Sequence, residues 1–357
     1  MLIAIIGTPS AGKHTVVDYL VQRHGFKHIG LKVPSEFKGS VLTELDTGVQ
    51  NLPNLTISST SLMNTAPIPP VFENINTMLD YTTRNWLEHH VTLDLRTYEE
   101  IEPFVKRPWF LLVFVDGPLR IRFERERERG RENLSSSSTL TLDSFIDTHD
   151  LLNGPSLPSH LPAKVLSHLQ TDFQRVTRLA QVHVYNNFPT VDAFWTYLDQ
   201  LDLLDQERLR PGWDTYFMTL ASLASHRSNC MKRRVGALLV RSKRILSTGY
   251  NGTPRGTKNC NQGGCRRCNG SARGGEALDE CLCLHAEENA LLEAGRDRIG
   301  SDAVLYCNTC PCLRCSVKIV QCGVREVVYN QSYSMDEASA MVLQEGGVLL
   351  RQWHMPL

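Results

Sequence analysis

Short apolar runs separated by turn residues recur along this chain, and the residues after each run tell strand from helix. Residues 2–6 are apolar without a break and lead into glycine-containing turn residues. Residues 15–23 then place apolar side chains at helical spacing. Residues 110–115 form a second run, apolar at every position as a strand buried on both faces requires, and it ends at Asp116-Gly117-Pro118. Residues 182–185 make a third, followed by a helical stretch around 191–204. Strand and helix in alternation predict a parallel α/β domain over residues 1–205.

The pattern changes after Leu209-Arg210-Pro211-Gly212, which reads as a boundary. Residues 213–225 have helical spacing, and 236–240 and 245–248 read as two strands of a hairpin with charged turn residues between them. Residues 284–294 predict a helix; 303–306 and 326–329 predict strands with a helix across 316–322 between them, which implies a parallel pairing. Two stretches escape periodicity. Residues 51–70, rich in Ser, Thr, Asn and Pro, read as a loop or disordered insertion, and Ser135-Ser136-Ser137-Ser138 is a second low-complexity stretch. No internal repeat is found.

Composition narrows the class. The 357 residues suffice for two domains, and a hydrophobic fraction of 41% with 21% charged residues is ordinary for a soluble globular protein. The 38 basic residues balance 38 acidic ones, which counts against a chain built to coat nucleic acid. No apolar run approaches the ~20 residues of a membrane helix, so no membrane partner is expected. Residues 1–7 have no basic leader and read as a first strand, not a signal peptide. All 11 cysteines lie after position 229, in short-range groups. Without an export signal this favours metal ligation over disulfides, and a reducing compartment, the cytosol or also the nucleus.

The chemistry concentrates at His285-Ala286-Glu287 and Pro311-Cys312-Leu313-Arg314-Cys315, the His-x-Glu and Pro-Cys-x-x-Cys signature of zinc-dependent nucleobase deaminases. Two thiolates and one imidazole hold Zn²⁺ and leave a fourth position for water. A glutamate that is not a ligand then moves protons. His285 and Glu287 are expected in the first turn of a helix. Cys312 and Cys315 are expected at the start of the next, where exposed amides and the helix dipole favour thiolates. The alternative is a purely structural zinc finger completed by Cys307 and Cys310. That site would not require the Glu or the Pro.

Residues 211–357 resemble deoxycytidylate (dCMP) deaminases, of the fungal type. The resemblance rests on Trp213-Asp214-x-Tyr216-Phe217-Met218, Arg233-Arg234-Val235-Gly236-Ala237, Gly249-Tyr250-Asn251-Gly252-Thr253-Pro254 and the two zinc segments. It implies a three-layer α/β/α fold with a mixed sheet. It also implies hydrolytic deamination of dCMP to dUMP and ammonia, with a catalytic zinc on His285, Cys312 and Cys315 and Glu287 as proton carrier. Asn251, Ala286 and Tyr333 would contact the substrate, Tyr333 near its phosphate. Asn251 alternatively forms an Asn-Gly hairpin turn, and Tyr333 alternatively packs as an ordinary aromatic. Lys232-Arg233-Arg234 reads either as a phosphate contact or as a solvated basic face. The family further implies a homohexamer, activation by dCTP with Mg²⁺ and inhibition by dTTP.

The same resemblance implies a second, structural zinc on Cys230, Cys260, Cys265 and Cys281, fixing the glycine-rich loop over 260–280. Cys268 and Cys283 stand as rival fourth ligands, and free thiols packed as small apolar groups are the remaining reading. In the first half, Gly7-Thr8-Pro9-Ser10-Ala11-Gly12-Lys13 keeps the spacing of a phosphate-binding P-loop between a strand and a helix. His14 replaces the Ser or Thr that meets Mg²⁺, and Thr15 comes one place late. Residues 1–205 thus resemble a small nucleotide kinase, with Gly7, Gly12, Lys13 and Thr15 as the candidate nucleotide contacts. The domain is either a working kinase or, as His14 favours, a degenerate regulator or scaffold. A glycine-rich turn with a solvated Lys13 is the third reading.

Overall fold

The computed structural model describes residues 1–32, 70–132, 140–153, 173–273, 276–332 and 337–354. The insertion expected over 51–70, save its last residue, and Ser135-Ser136-Ser137-Ser138 lie outside the described residues, as does Tyr333. The chain forms two compact units, Met1–Leu209 and Arg210–Leu357.

The first unit is built on β1 (Leu2–Gly7), β2 (Lys27–His28), β5 (His90–Thr92), β6 (Phe110–Asp116) and β7 (Val182–Tyr185), paired in the order β2-β5-β1-β6-β7. Every pairing is parallel. Two further strands, β3 (Gly30–Leu31) and β4 (Val71–Phe72), form a separate parallel ribbon. The alternation of side chains along β1 explains its continuous apolar run. Ile3 and Ile5 face one core with Val16, Val17 and Leu20 of helix α1 (Lys13–His24). Leu2, Ala4 and Ile6 face another with Met78, Ile101 and Phe104. Both faces of the sheet are therefore covered, as a parallel sheet requires. Helix α2 (Leu119–Glu132) follows β6, and α3 (Val191–Leu201) follows β7 and returns Phe194 and Leu198 to the first core.

The second unit has a mixed sheet in the order β12-β11-β10-β8-β9. Its strands are β8 (Gly236–Arg241), β9 (Arg244–Tyr250), β10 (Val304–Thr309), β11 (Glu326–Gln331) and β12 (Leu349–Gln352). β8 pairs antiparallel with β9 and β10, whereas β10, β11 and β12 run parallel to one another. Helix α4 (Trp213–Ser225) covers one face through Phe217, Met218 and Ala221. The other face carries α5 (Ala286–Ala294), α6 (Leu313–Cys322) and α7 (Glu337–Glu345) through Ala290, Ile319 and Leu343. This is the three-layer α/β/α arrangement with a mixed sheet that the family resemblance implies. The hydrophobic pattern predicts neither α7 nor β12. No helix among the described residues is long and apolar enough to cross a membrane.

The turn of the hairpin corrects one alternative. It lies at Ser242 and Lys243, whose φ angles of 49° and 61° give the left-handed pair that a tight two-residue turn needs. Asn251-Gly252 is not a hairpin turn. Gly252 bridges antiparallel to Leu284 and so ties the end of β9 to the segment entering α5.

Candidate active site

Two helix beginnings meet under the sheet. His285 is the residue capping α5, with extended backbone (φ −78°, ψ 159°), and Cys312 caps α6 in the same way (φ −79°, ψ 167°). Cys315 lies in the first turn of α6 and is buried. The His285 Nδ1 stands 3.3 Å from Cys312 Sγ and 3.4 Å from Cys315 Sγ, and all three ligand atoms lie within 4.8 Å of one another. A tetrahedral zinc with ordinary Zn–S and Zn–N bonds needs its donors about 3.5 to 3.8 Å apart, so the set fits with slight opening. Two soft sulfurs and an imidazole also suit zinc by donor type. Cys312 is held down to about 4 by hydrogen bonding with Cys315, helped against its burial by His285. The His285 imidazole is in turn pushed up, chiefly by its bond to Cys312.

Glu287, two positions after His285 and the second residue of α5, is 3% exposed. Burial pushes its carboxyl up to about 7, against the opposing pull of His285. A carboxyl poised near neutrality is one that can both accept and give a proton. The neighbouring Glu288 takes a different part. Its Oε2 accepts from the His285 amide at 3.3 Å and its Oε1 pairs with Lys318 of α6, which joins the two helix beginnings. Cys307 and Cys310, the alternative ligands for a structural finger, are not in this group of donors among the described residues.

Asn251 is buried, and its carboxamide binds protein. Oδ1 accepts from Ser228 Oγ at 2.6 Å and from the Val235 amide at 2.9 Å, and Nδ2 donates to the Arg233 carbonyl at 2.9 Å. The side chain thus pins the loop before β8 to the end of β9. Ala286 is fully buried at the start of α5, where its carbonyl meets Gly249 of β9. A Cβ at Gly249 would stand 2.0 Å from that oxygen, so the bare backbone there sets how closely α5 approaches the sheet. Lys232 donates to the Gly270 carbonyl at 2.9 Å, which turns part of the basic run toward the cysteine loop.

The cysteines of that loop group differently from the expected set. Cys230, Cys260, Cys268 and Cys283 have their sulfurs within 4.8 Å of one another, and so do Cys265, Cys268, Cys281 and Cys283. The set Cys230, Cys260, Cys265 and Cys281 therefore divides between two groups, because Cys268 and Cys283 stand between its members. Cys265-x-x-Cys268 and Cys281-x-Cys283 are the signals in the sequence; linear spacing shows that such pairs are close without showing which sulfurs meet.

In the first unit, Gly12 adopts a φ of 100° before α1, a left-handed bend suited to glycine. Lys13 is buried, with Nζ on the carbonyls of Gly7 (3.2 Å) and Thr8 (3.1 Å). Thr15 uses its carbonyl to accept from Trp195, and His14 is exposed. Asp116 at the end of β6 accepts from Thr8 Oγ1 at 2.6 Å, with the buried Arg122 beside it.

Residues 211–331 match the family model of the cytidine and deoxycytidylate deaminase zinc-binding region, a span that includes the capping residues of α5 and α6. The deoxycytidylate deaminase of Schizosaccharomyces pombe is 41% identical over 355 residues, which cover 99% of this chain and 98% of that protein. The chain belongs to the deoxycytidylate deaminase family. A second member, from Saccharomyces cerevisiae, is 44% identical over 292 residues, covering 79% of this chain and 86% of its own. Among solved structures, a dCMP deaminase of cyanophage S-TIM5 in complex with dCMP and dUMP is 34% identical over 39% of this chain and 94% of its own, with a TM-score of 0.31. The likeness to the two yeast members extends beyond the zinc-binding region, so the family relation includes much of the first unit.

Proposed function

We propose that this chain hydrolyses dCMP to dUMP and ammonia. The observation that carries the reading is the buried Glu287 beside the His285, Cys312 and Cys315 donor set, in a chain of this family. Zinc, when bound by those three residues, supplies a water made acidic enough to lose a proton near neutral pH. Glu287 does the proton work: it takes a proton from the attacking water and passes it to N3 of the cytosine ring. It then takes the proton of the new hydroxyl on C4 and gives it to the amine, which leaves as ammonia as the C4–N bond breaks and the C4 carbonyl forms. Its burial keeps the carboxyl available in both forms near pH 7. By the family resemblance, Ala286 and Asn251 contact the substrate, Asn251 at its sugar, and Tyr333 is assigned to its phosphate. Lys318 and Glu288 hold the two helix beginnings in register.

The product, dUMP, serves the making of dTMP. Regulation by dCTP with Mg²⁺ as activator and dTTP as inhibitor, and a homohexameric assembly, follow from the family resemblance. The enzyme works in the cytosol or nucleus. The first unit is a degenerate nucleotide-kinase-like domain: Lys13 folds back onto the carbonyls of its own loop, and His14 stands where a Mg²⁺-binding hydroxyl is needed.

The test is ammonia release by the full chain from dCMP, CMP, deoxycytidine and a tRNA, with and without each effector. Turnover of dCMP well above the other three is expected. Equal or better turnover of tRNA, or none of any substrate, would overturn the reading.

A further inference from the structure

Six cysteines, four of them buried, cluster in the loop that leads into α5, and among the described side chains no aliphatic one joins the cluster. Cys260, Cys265, Cys268 and Cys283 are buried, with Cys230 and Cys281 packed against them. None is disulfide-bonded. The sulfur separations are 3.7 Å for Cys230–Cys268, 4.0 Å for Cys265–Cys281, 3.6 Å for Cys268–Cys281 and 3.9 Å for Cys268–Cys283. Sulfurs around one tetrahedral zinc stand about 3.8 Å apart, the edge of a tetrahedron with ordinary Zn–S bonds.

The two overlapping groups of four have two members in common, Cys268 and Cys283. Two tetrahedra sharing an edge have six corners in all, and the two shared corners must be neighbours; Cys268 and Cys283 satisfy that at 3.9 Å. We propose that this loop holds two zinc ions joined by the thiolates of Cys268 and Cys283, one completed by Cys230 and Cys260 and the other by Cys265 and Cys281.

A single zinc in either group leaves two further sulfurs at ligand spacing without a metal. With the ion on Cys230, Cys260, Cys268 and Cys283, the surplus pair is Cys265 and Cys281. With the ion on the other group it is Cys230 and Cys260, and Cys260 is fully buried. Two ions use all six. Six thiolates around two dications leave two negative charges, and the surroundings answer them. The Met231 amide donates to Cys260 Sγ at 3.4 Å, and Asn269 Nδ2 approaches the same sulfur at 3.7 Å. Amides of Lys232 and Arg233 reach Cys230, and those of Cys268 and Leu282 reach Cys265. The Arg267 guanidinium lies against Cys268 and Cys281. Amide donors of this kind orient and stabilise metal-bound thiolates.

Such a cluster would hold the loop together with metal–sulfur bonds, as small metal-stapled folds do. Its bridging Cys283 lies two residues before His285, and Gly252 holds Leu284 between them by paired hydrogen bonds of 3.1 and 2.9 Å. The cluster thus sets the path of the chain into the catalytic helix.

Zinc counted per full-length chain by native mass spectrometry and elemental analysis tests the idea. Two ions in the cluster and one at the active site give three, and His285→Ala is expected to lower the count to two. Fewer than three in the wild-type chain, or iron in their place, overturns the proposal. Exchange with the NMR-active isotope of cadmium should add two resonances that split each other through the shared thiolates. Three ions without that coupling would place the third elsewhere and overturn it as well. Both wild-type measurements stand even if the variant fails to fold.

Discussion

At the scale of single residues, the decisive group is Glu287, because its surroundings keep a carboxyl titrating near neutrality. Glu287→Gln preserves its size and removes that proton. The variant is expected to keep its full zinc content while kcat falls about 10²- to 10⁴-fold, the usual weight of a positioned acid–base group. Steady-state ammonia release paired with zinc analysis checks both halves, and wild-type turnover in the variant would end the proton-carrier role. This residue and its neighbours are legible in the sequence because zinc chemistry restricts residue type and the donors lie close together along the chain. His285 and Glu287 sit in one turn, as do Cys312 and Cys315. Asn251 is harder to read. Its fragment matches a substrate-contacting loop and a hairpin turn equally well, and only the fold reveals Ser228, Val235 and Arg233 around its carboxamide. Cys268 and Cys283 are obscure for a related reason, since six cysteines in a glycine-rich loop allow many groupings until the loop closes.

At the scale of elements, strands buried on both faces are the most legible, since an uninterrupted apolar run of that length suits little else; β1 and β6 are examples. The edge strand β12 escapes the pattern. Its burial is only partial, and Leu349 and Gln352 are exposed, so its alternation carries little signal. The contact that matters most for the site is between β9 and α5, where Gly249 admits the Ala286 carbonyl and the Ala290 amide. Gly249→Ala would bring a methyl to 2.0 Å and 2.6 Å from those backbone atoms, which a rotamer change cannot relieve. The helix must therefore move, and it carries His285 and Glu287. The expected result is a loss of about 1–3 kcal/mol of stability, as for other overpacked sites, with a fall in kcat larger than any change in KM. Urea denaturation and steady-state kinetics on the same preparation measure the two effects. A variant with unchanged kcat would show that helix position tolerates the shift.

At the scale of the whole molecule, two units with separate cores need not share one unfolding transition. Their responses to acid should differ, and His90 supplies the reason for the first unit. It is 1% exposed within β5, next to β1 at the centre of the sheet. Burial lowers its pKa from 6.5 to about 4, with the N-terminal amine, Lys27 and His89 adding to the effect and Glu88 opposing it. The folded unit therefore keeps His90 neutral between about pH 6.5 and pH 4, while the unfolded chain binds a proton there. More protons on the unfolded side mean that stability falls as pH drops through that window. In the second unit, burial pushes Asp214 up, but hydrogen bonds from Arg351 and Tyr306 outweigh it and hold the carboxyl below its usual range. That contribution is present above the ordinary aspartate pKa of about 3.9 and is lost only at lower pH. Calorimetry between about pH 7 and pH 4 should show the transition of Met1–Leu209 moving to lower temperature. His90→Phe keeps a buried ring in β5 without a titrating group, so it should reduce that shift, with His89 and His149, also lowered by burial in the same unit, supplying the remainder. An equal shift of that transition in wild type and variant would rule out His90 as a source.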